Sequence, residues 1–413
     1  MHICIFEDNK VDNFYPLTLS HPVYDLVCGM KTLREKILRY FPNVPQTLFC
    51  RKYLEETVKQ NNPGIGVNLL EDDNYLFING RVLIDENFFD LIGKSKAEKV
   101  LVKDDILIAA KVTSASLNKI KASIKGSPEP SDFEGIHSEN SYIDTVDYIW
   151  DLIKLNGAQI KQDFNLINAP GISEEARLFR SVNLINKDDV IIETGTVIKP
   201  GVVIDASNGP IYIGKDVEIY PNSVIEGPVA IGDKTKIKAL TNIYENVSIG
   251  SVCKIGGEVE ETIIMPYTNK QHSGFLGHAY LGSWINIGAD TNCSDLKNNY
   301  STINIRMKGK QVDTGLQFLG LIMGDHSKTA INTMFNTGTI TGFSCNIFGD
   351  GFPDKFIPSF SWGGREHMET YEVSKGIDTA KRVMLRRKVN MTKADEDLFN
   401  TIFKITESER EKQ

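Results

Sequence analysis

Two histidines in one short segment are the side chains of this chain best suited to move a proton near neutral pH. His272 and His278 lie six positions apart, and an imidazole pKa of about 6.5 suits a general base. Two nearby lysines, Lys270 and Lys297, can neutralise a phosphate, and Asn286 can hydrogen-bond to hydroxyl groups. Most single histidines in a chain with seven are structural, and single lysines or asparagines are often only solvated or turn residues. Each of these residues therefore also has a purely structural interpretation.

The segment that carries these residues has a six-residue repeat. Isoleucines recur in steps of six from Ile213 to Ile255. A period of six fits neither a helix nor a simple strand, but it fits short strands joined by tight corners, three to a coil of about 18 residues. The branched side chains then point into the coil. The sequence predicts a parallel β-helix over 185–360, from which the aperiodic stretch 298–317 loops out.

The regions on either side of the repeat have other patterns. Over residues 1–180, short apolar stretches alternate with helical patterns, which predicts an α/β, Rossmann-like domain. The tail, 365–413, is charged and helical, and we expect it to cover strand edges at the end of the β-helix. The sequence therefore predicts two domains and a short helical tail.

Composition disfavours several classes of function. The formal net charge of −8 disfavours nucleic acid as a partner, because phosphate backbones are bound by clustered cations. We expect no membrane association, because no run of about 18 apolar residues occurs, and the N-terminus lacks a signal-peptide pattern. The six cysteines form no CxxC pair, as is typical of thiols in a reducing compartment. A cytoplasmic protein is expected.

An α/β domain followed by such a solenoid resembles the GlmU-like family of sugar nucleotidyltransferases and acetyltransferases. The segment 270–289, KQHSGFLGHAYLGSWINIGA, is similar to the family pattern G-H-L-T-Y-L-G-x-A-x-I-G-x-x-V-N-I-G-A-G. His272 falls on the family's catalytic histidine, and Asn286 falls on an active-site asparagine. Two positions depart from the pattern, since Phe275 replaces a tyrosine and Asp295 replaces an asparagine.

The resemblance implies a set of residues for acetyl transfer, a reaction that needs no metal. His272 is the implied general base, and His278 remains the alternative. The residues expected to bind the sugar phosphate are Lys270, Phe275, Asn286, Asp295 and Lys297. Small residues and a renewed six-residue step place acetyl-CoA along the later coils, at Thr329, Ala330, Ile331 and Asn332.

The start of the chain departs from the family. The usual nucleotidyltransferase opens with L-A-A-G-x-G-T-R, whose glycines let backbone amides approach phosphates, whereas here Glu7-Asp-Asn-Lys10 follows the first strand. Ligands of such sheets bind at the carboxyl ends of the strands. We therefore expect a uridine nucleotide and Mg²⁺ there. The sequence does not identify the protein ligands of the metal. The expected contacts are Lys10, Arg34, Asn79, Gly80 and Arg81.

The preferred interpretation is a bifunctional enzyme. One half acetylates glucosamine-1-phosphate from acetyl-CoA, and the other transfers uridylyl from UTP to give UDP-N-acetylglucosamine, in a homotrimer with small-molecule partners only. Two alternatives remain open. One is a nucleotidyltransferase for another sugar-1-phosphate, with the β-helix as an assembly device. The other is a non-catalytic trimeric scaffold that binds sugar nucleotides.

Overall fold

A computed structural model describes residues 1–124, 126–167, 171–307 and 309–411. Along the chain it contains an α/β domain, a long prism of parallel strands and a helical tail. Within these four segments, no helix combines the length and apolar character needed to cross a membrane.

The N-terminal domain is built around one mixed sheet. Its described strands lie in the spatial order Gly66–Val67, Gln46–Phe49, His2–Phe6, Tyr75–Asn79, Ile106–Val112, Lys99–Lys103 and Ser138–Asn140. The first four strands are parallel, and Ile106–Val112 is antiparallel to both of its neighbours. Every residue of Tyr75–Asn79 is buried, as its unbroken apolar run predicts for a central strand. The helices are α1 (Leu33–Arg39), α2 (Glu55–Asn61), α3 (Glu86–Phe88) and α4 (Ser114–Ile120).

Helix α5 (Ile149–Asn165) connects this domain to the prism. Its Asp163 is buried and accepts hydrogen bonds from Lys36 Nζ at 2.5 Å and from the Met30 amide at 2.8 Å. On the same helix, Asn156 bonds to the Gly29 amide and to the Asn246 carbonyl in the prism. Because both polar side chains are buried and satisfied, α5 fixes the N-terminal domain against the prism.

The prism is a left-handed parallel β-helix with three sheets. Sheet 1 contains Arg177–Leu178, Val197–Ile198, Glu218–Ile219, Lys236–Ile237, Lys254–Ile255, Asn269–Lys270, Lys328–Thr329, Asn346–Ile347, Ser361–Gly363 and the antiparallel Met368–Thr370. Sheet 2 contains Asn183–Ile185, Val203–Asp205, Val224–Glu226, Asn242–Ile243, Glu258–Glu260, Phe275–Gly277, Asn292–Cys293 and Met334–Phe335. Sheet 3 contains Val190–Ile192, Ile211–Ile213, Val229–Ile231, Val247–Ile249, Ile263–Ile264, Tyr280–Leu281, Ile322–Met323, Ile340–Thr341 and Phe356–Ile357.

The repeating isoleucines form the core of the prism, as the period predicts. Ile213, Ile219, Ile225 and Ile231 are fully buried and belong to one hydrophobic cluster that runs along the prism. Successive coils pair in parallel, residue on residue, so each isoleucine lies on another. The predicted fold class, an α/β domain followed by a β-helix with a helical tail, is confirmed.

Two corners of the prism carry the candidate histidines. The His272 edge, between sheets 1 and 2, consists of 271–274, 288–291 and 330–333. The His278 edge, between sheets 2 and 3, consists of 260–262, 277–279 and 318–320. Backbone hydrogen bonds stack the coils at each edge, from Asp290 to Ser273 on the first and from His278 to Glu260 on the second.

The inserted stretch and the tail both pack back on the prism. The insertion contains the hairpin Asn304–Met307 and Lys310–Asp313. The tail forms α6 (Val373–Leu385), α7 (Lys393–Ile405) and α8 (Glu407–Arg410). In α7, Phe399 packs edge-on against Phe343 of the prism at 4.7 Å, and the helix also contacts α2. The division into 1–180, 185–360 and 365–413 remains a proposal, and residues 412 and 413 lie outside the described part.

Candidate active sites

The carboxyl edge of the N-terminal sheet is filled by a buried ion-pair network. Arg81 is 0% exposed, and its guanidinium donates to Asp8 Oδ2 and to Asp147 Oδ1, each at 2.6 Å. Asn79 donates to the same Asp8 carboxylate at 2.8 Å. Glu7 is likewise buried and paired with Arg51 at 3.0 Å. These carboxylates stand where the family has its glycine loop, and they hold the strand ends together.

The other residues predicted to bind the nucleotide are dispersed. Arg34 forms an ion pair with Asp25 at 3.0 Å. A side chain at Gly80 would lie 2.7 Å from Tyr24 Cβ, so this glycine makes room for Tyr24. Lys10 is exposed and borders a cavity of about 260 Å³ together with Arg81. Of the five predicted contacts, only Lys10 presents a free-standing cation to this cavity.

The acidic side chains at the N-terminal edge bear on whether a metal ion is held there. Across the four described segments, no three histidine, cysteine or acidic side chains are grouped so that they hold a metal ion. The two acidic residues that directly follow the first strand are already engaged, Asp8 by Arg81 and Asn79 and Glu7 by Arg51. The described residues therefore do not fit a resident Mg²⁺ ion.

On the β-helix, Lys270 lies inside the prism beneath the His272 turn. It is 1% exposed and pairs with Ile255 of the preceding coil. Its ammonium donates to the carbonyls of Gly256 at 2.7 Å, Gly274 at 2.5 Å and His272 at 3.3 Å. Burial lowers the pKa of Lys270 to about 8. The geometry gives Lys270 a supporting role below the turn.

The His272 edge brings the predicted base and the predicted cofactor segment together. His272 is exposed at the corner. The Asp290 amide bonds to the Ser273 carbonyl at 3.0 Å, and the Asn332 amide bonds to the Ala289 carbonyl at 2.8 Å. His272 and Ile331 therefore lie on one line, two coils apart.

Residues of the cofactor segment point in different directions. Thr329 is buried, and its hydroxyl accepts from the Gly288 amide at 2.8 Å. The Ala330 carbonyl accepts from Thr333 Oγ1 at 3.0 Å. By contrast, Ile331 is 69% exposed. Thr329 and Ala330 therefore shape the corner, whereas Ile331 and Asn332 face outward.

Two concave surfaces flank the His272 edge. On sheet 2, Phe275 and Asn332 line an open groove of about 460 Å³. On sheet 1, Asn286 and Gln271 line a cavity of about 340 Å³. The cavity on sheet 1 also contains four cations: Lys254, Lys328, Arg386 and Arg387.

The cationic cavity contains no acidic side chain among the described residues that line it. Burial lowers the pKa of Lys254, and Arg387 adds to the shift. Burial also lowers the pKa of Lys328 to about 8. Clustered cations without counter-ions are the arrangement that binds an anion such as a phosphate.

Sequence reasoning did not select these four cations. One signal was present, because Lys236 and Lys254 are 18 residues apart, one coil, and each precedes a buried isoleucine. That spacing puts both lysines on the outer face of sheet 1. The arginines come from the end of α6, and nothing in the sequence indicates that this helix returns to the coil of Asn286.

The His278 edge gathers a different set. His278 Nδ1 lies 2.8 Å from Asp295 Oδ2, and its ring stacks on Phe318 with centroids 5.0 Å apart. Burial raises the pKa of both Glu260 and Glu261. Lys297, which follows Asp295, donates to the Thr302 carbonyl in the insertion. The predicted site residues thus divide between two edges, with Asp295 and Lys297 near His278.

Comparison with known proteins agrees with this architecture. Residues 3–170 match the sugar nucleotidyl transferase family. A bifunctional protein GlmU of Methanocaldococcus jannaschii is 27% identical over 388 residues, which cover 87% of this chain and 88% of the relative. A bifunctional sugar-1-phosphate nucleotidylyltransferase/acetyltransferase of Sulfurisphaera tokodaii is 28% identical over 56% of this chain and 53% of its own length. A bifunctional protein GlmU of Acaryochloris marina is 35% identical over 29% of this chain and 24% of its own length.

The fold, the two candidate sites and these relatives define the class of protein. It is a transferase with a sugar nucleotidyltransferase-type domain followed by a left-handed β-helix. Within that class the chain is GlmU-like, and the similarity extends over most of its length. The predictions of a GlmU-like protein and of a transferase are confirmed.

Proposed function

We propose that this enzyme makes UDP-N-acetylglucosamine by acetylating glucosamine-1-phosphate and attaching a uridylyl group from UTP. The GlmU-like relatives support both activities. For the acetyl transfer, one observation carries the argument. The exposed His272 follows Gln271, which lines the cationic cavity together with Asn286. An exposed imidazole and a cationic surface are therefore close in the chain at one corner, which supports the proposal.

The proposed chemistry assigns one task to each part of this corner. The cationic cavity holds the sugar phosphate, and Asn286 bonds to a sugar hydroxyl. His272 takes the proton from the attacking amine, whose nitrogen forms a bond to the thioester carbonyl carbon. The carbon–sulfur bond then breaks, and coenzyme A leaves as the thiol after its sulfur accepts that proton from His272. The segment Thr329–Asn332 is the proposed surface for acetyl-CoA.

The uridylyl transfer is the less complete of the two proposals. It is supported by the match of residues 3–170 to sugar nucleotidyl transferases and by Lys10 at the cavity on the sheet edge. Because the described residues do not fit a resident Mg²⁺, we assign no step to a protein-bound metal.

We further propose that the enzyme is a cytoplasmic homotrimer. Two large aliphatic side chains, Leu240 and Ile331, are 72% and 69% exposed at corners between sheets 1 and 2. A contact with another chain along this edge would cover both side chains. A neighbouring prism there would complete the cleft in front of His272.

A substrate comparison tests this function. The full-length protein is incubated with acetyl-CoA and either glucosamine-1-phosphate or glucosamine, and thiol release is measured. We expect turnover with the phosphate and at least tenfold less without it. A second assay with UTP, Mg²⁺ and N-acetylglucosamine-1-phosphate should release pyrophosphate. Absence of both activities would support the scaffold alternative, and pyrophosphate release alone would support a nucleotidyltransferase with a structural β-helix.

A further inference from the structure

A further cavity lies where the three parts of the chain meet. It measures about 490 Å³, which falls in the size range of pockets that hold small organic ligands. The N-terminal domain contributes Ser20 and His21, the β-helix contributes Asp325 and His326, and the tail contributes Phe399. The cavity is separate from the His272 edge, since it lies along the corner between sheets 3 and 1.

One wall of this junction cavity is a ladder of aromatic rings. Tyr267 and Trp284 stack with centroids 4.1 Å apart and planes at 10°. Trp284 and His326 continue the stack with planes at 11°. These three side chains come from the same corner of successive coils, so the parallel β-helix repeat itself aligns them. Because the rings cover each other's faces, the wall presents ring edges to the cavity, and ring edges pack favourably against the face of a flat ring system.

His326 gives this wall an unused polar atom. The side chain is 7% exposed and lines the cavity, and its Nδ1 has no hydrogen-bond partner among the described residues. Buried polar atoms are rarely left unpaired in proteins. Burial lowers the pKa of His326 to about 3, so the ring is uncharged at neutral pH and offers a neutral hydrogen bond.

The acidic groups around the cavity already have partners. Asp325 accepts from Ser20 Oγ at 3.1 Å and pairs with His21 Nε2 at 2.7 Å. Asp25 pairs with Arg34 at 3.0 Å. Asp395, which also lines the cavity, accepts from the Thr392 amide at 2.8 Å. Because no described lysine or arginine lines the cavity, an anionic ligand would enter without a counter-ion, which is costly in a buried site. An uncharged ligand meets no such cost.

We propose that the junction cavity binds an uncharged planar heterocycle of about nucleoside size, which packs its face against the ring edges of the Trp284 wall and is hydrogen-bonded to His326 Nδ1. Because the site is lined by all three parts of the chain, its occupant contacts both the nucleotidyltransferase-type domain and the β-helix. Trp284 also lines the cationic cavity, so the two cavities adjoin, but neither His272 nor any of the four cations lines the junction cavity.

Ligand-observed NMR and calorimetry on the full chain test the proposal, with uridine and adenosine as probes and ribose as the non-planar control. We expect saturable binding of at least one nucleoside and none of ribose. His326→Phe keeps a ring but removes both nitrogens, and it should weaken binding about tenfold or more. The matched control His367→Phe, at a ring that is 81% exposed, should bind as the unaltered protein does.

Folding of the variants is checked by thermal melting, and Trp284→Leu provides a second test of the same wall. If His326→Phe fails to fold, Trp284→Leu alone should show the loss of binding. The proposal is overturned if neither nucleoside binds the unaltered protein at millimolar concentration. It is equally overturned if the folded variants retain full affinity.

Discussion

The His272 edge and the His278 edge are two corners of one prism, yet their polar groups are arranged in opposite ways. At the His278 edge the histidine itself is engaged, by Asp295 on one nitrogen and by Phe318 on its face. At the His272 edge the supporting lysine is engaged, since Lys270 satisfies three carbonyls below the turn, while the imidazole is exposed. When a buried side chain satisfies the carbonyls of a turn, the exposed side chain of that turn is not needed for its stability.

The largest effect on stability is expected when the internal support of the His272 edge is removed. Lys270→Met leaves three carbonyls without their buried donor, and an unsatisfied buried group costs about 1–3 kcal/mol. We expect the free energy of unfolding to fall by about 3 kcal/mol in urea denaturation. Lys215→Met is the matched control, because the Lys215 side chain is exposed on the prism and its replacement should change stability by less than about 0.5 kcal/mol. Equal losses of unfolding free energy in both variants would show that Lys270 has no special role in stabilising the turn.

The role of Lys270 also marks how far the sequence could be used for prediction. The isoleucine period predicts the prism because the core repeats every coil. A lysine at an isoleucine position suggests a phosphate ligand from its charge alone, whereas the main-chain carbonyls that Lys270 contacts are revealed by no sequence pattern. The contacts of Arg81 are hidden from the sequence for the same kind of reason. Its partners Asp8 and Asp147 lie 73 and 66 residues away in the sequence, and only the folded sheet brings them together.

Two histidines whose pKa values are shifted in opposite directions lie at the third corner of the prism, between sheets 3 and 1, so stability there should depend on pH. His326 has a folded-state pKa of about 3 and an unfolded value near 6.5, so the unfolded chain binds the proton first as pH falls. Stability should therefore decrease from pH 6.5 downward, by up to about 1.4 kcal/mol per pH unit. His21 behaves oppositely, because Asp325 outweighs the effect of burial and raises its pKa. Its contribution is present below pH 6.5 and is lost as pH rises.

Chemical denaturation between pH 5 and pH 8 measures this dependence. We expect maximal stability near pH 6.5, and His326→Phe should flatten the acidic side while leaving the alkaline side. His21→Phe should do the reverse. A stability profile of His326→Phe that falls as steeply below pH 6.5 as that of the unaltered protein would contradict the assignment.

A smaller effect is expected in the cationic cavity beside the His272 edge. Arg387→Gln removes one charge from the proposed phosphate surface, and charge-assisted contacts contribute about 1.5–3 kcal/mol. We expect KM for glucosamine-1-phosphate to rise about tenfold with kcat nearly unchanged, as for loss of uniform binding. Arg365→Gln, at an exposed arginine outside the cavity, serves as the control. A fall in kcat with an unchanged KM would remove Arg387 from substrate binding.

The smallest effect is expected from the carboxylate at the His278 edge. Asp295→Asn keeps a hydrogen-bond acceptor beside His278 but removes the charge. We expect acetyl transfer to change by less than about threefold, because this pair lies on a different corner from the cationic cavity. A loss of a hundredfold or more would mean that the His278 edge takes part in the reaction.

The central claim is that acetyl transfer occurs at the His272 edge, and paired histidine variants test it most directly. His272→Gln and His278→Gln are assayed side by side for thiol release from acetyl-CoA with glucosamine-1-phosphate, after circular dichroism and melting show that both are folded. Removal of a general base lowers rates by about 10²–10⁴-fold. The account predicts that loss for His272→Gln and less than about threefold for His278→Gln. The reverse pattern would contradict it.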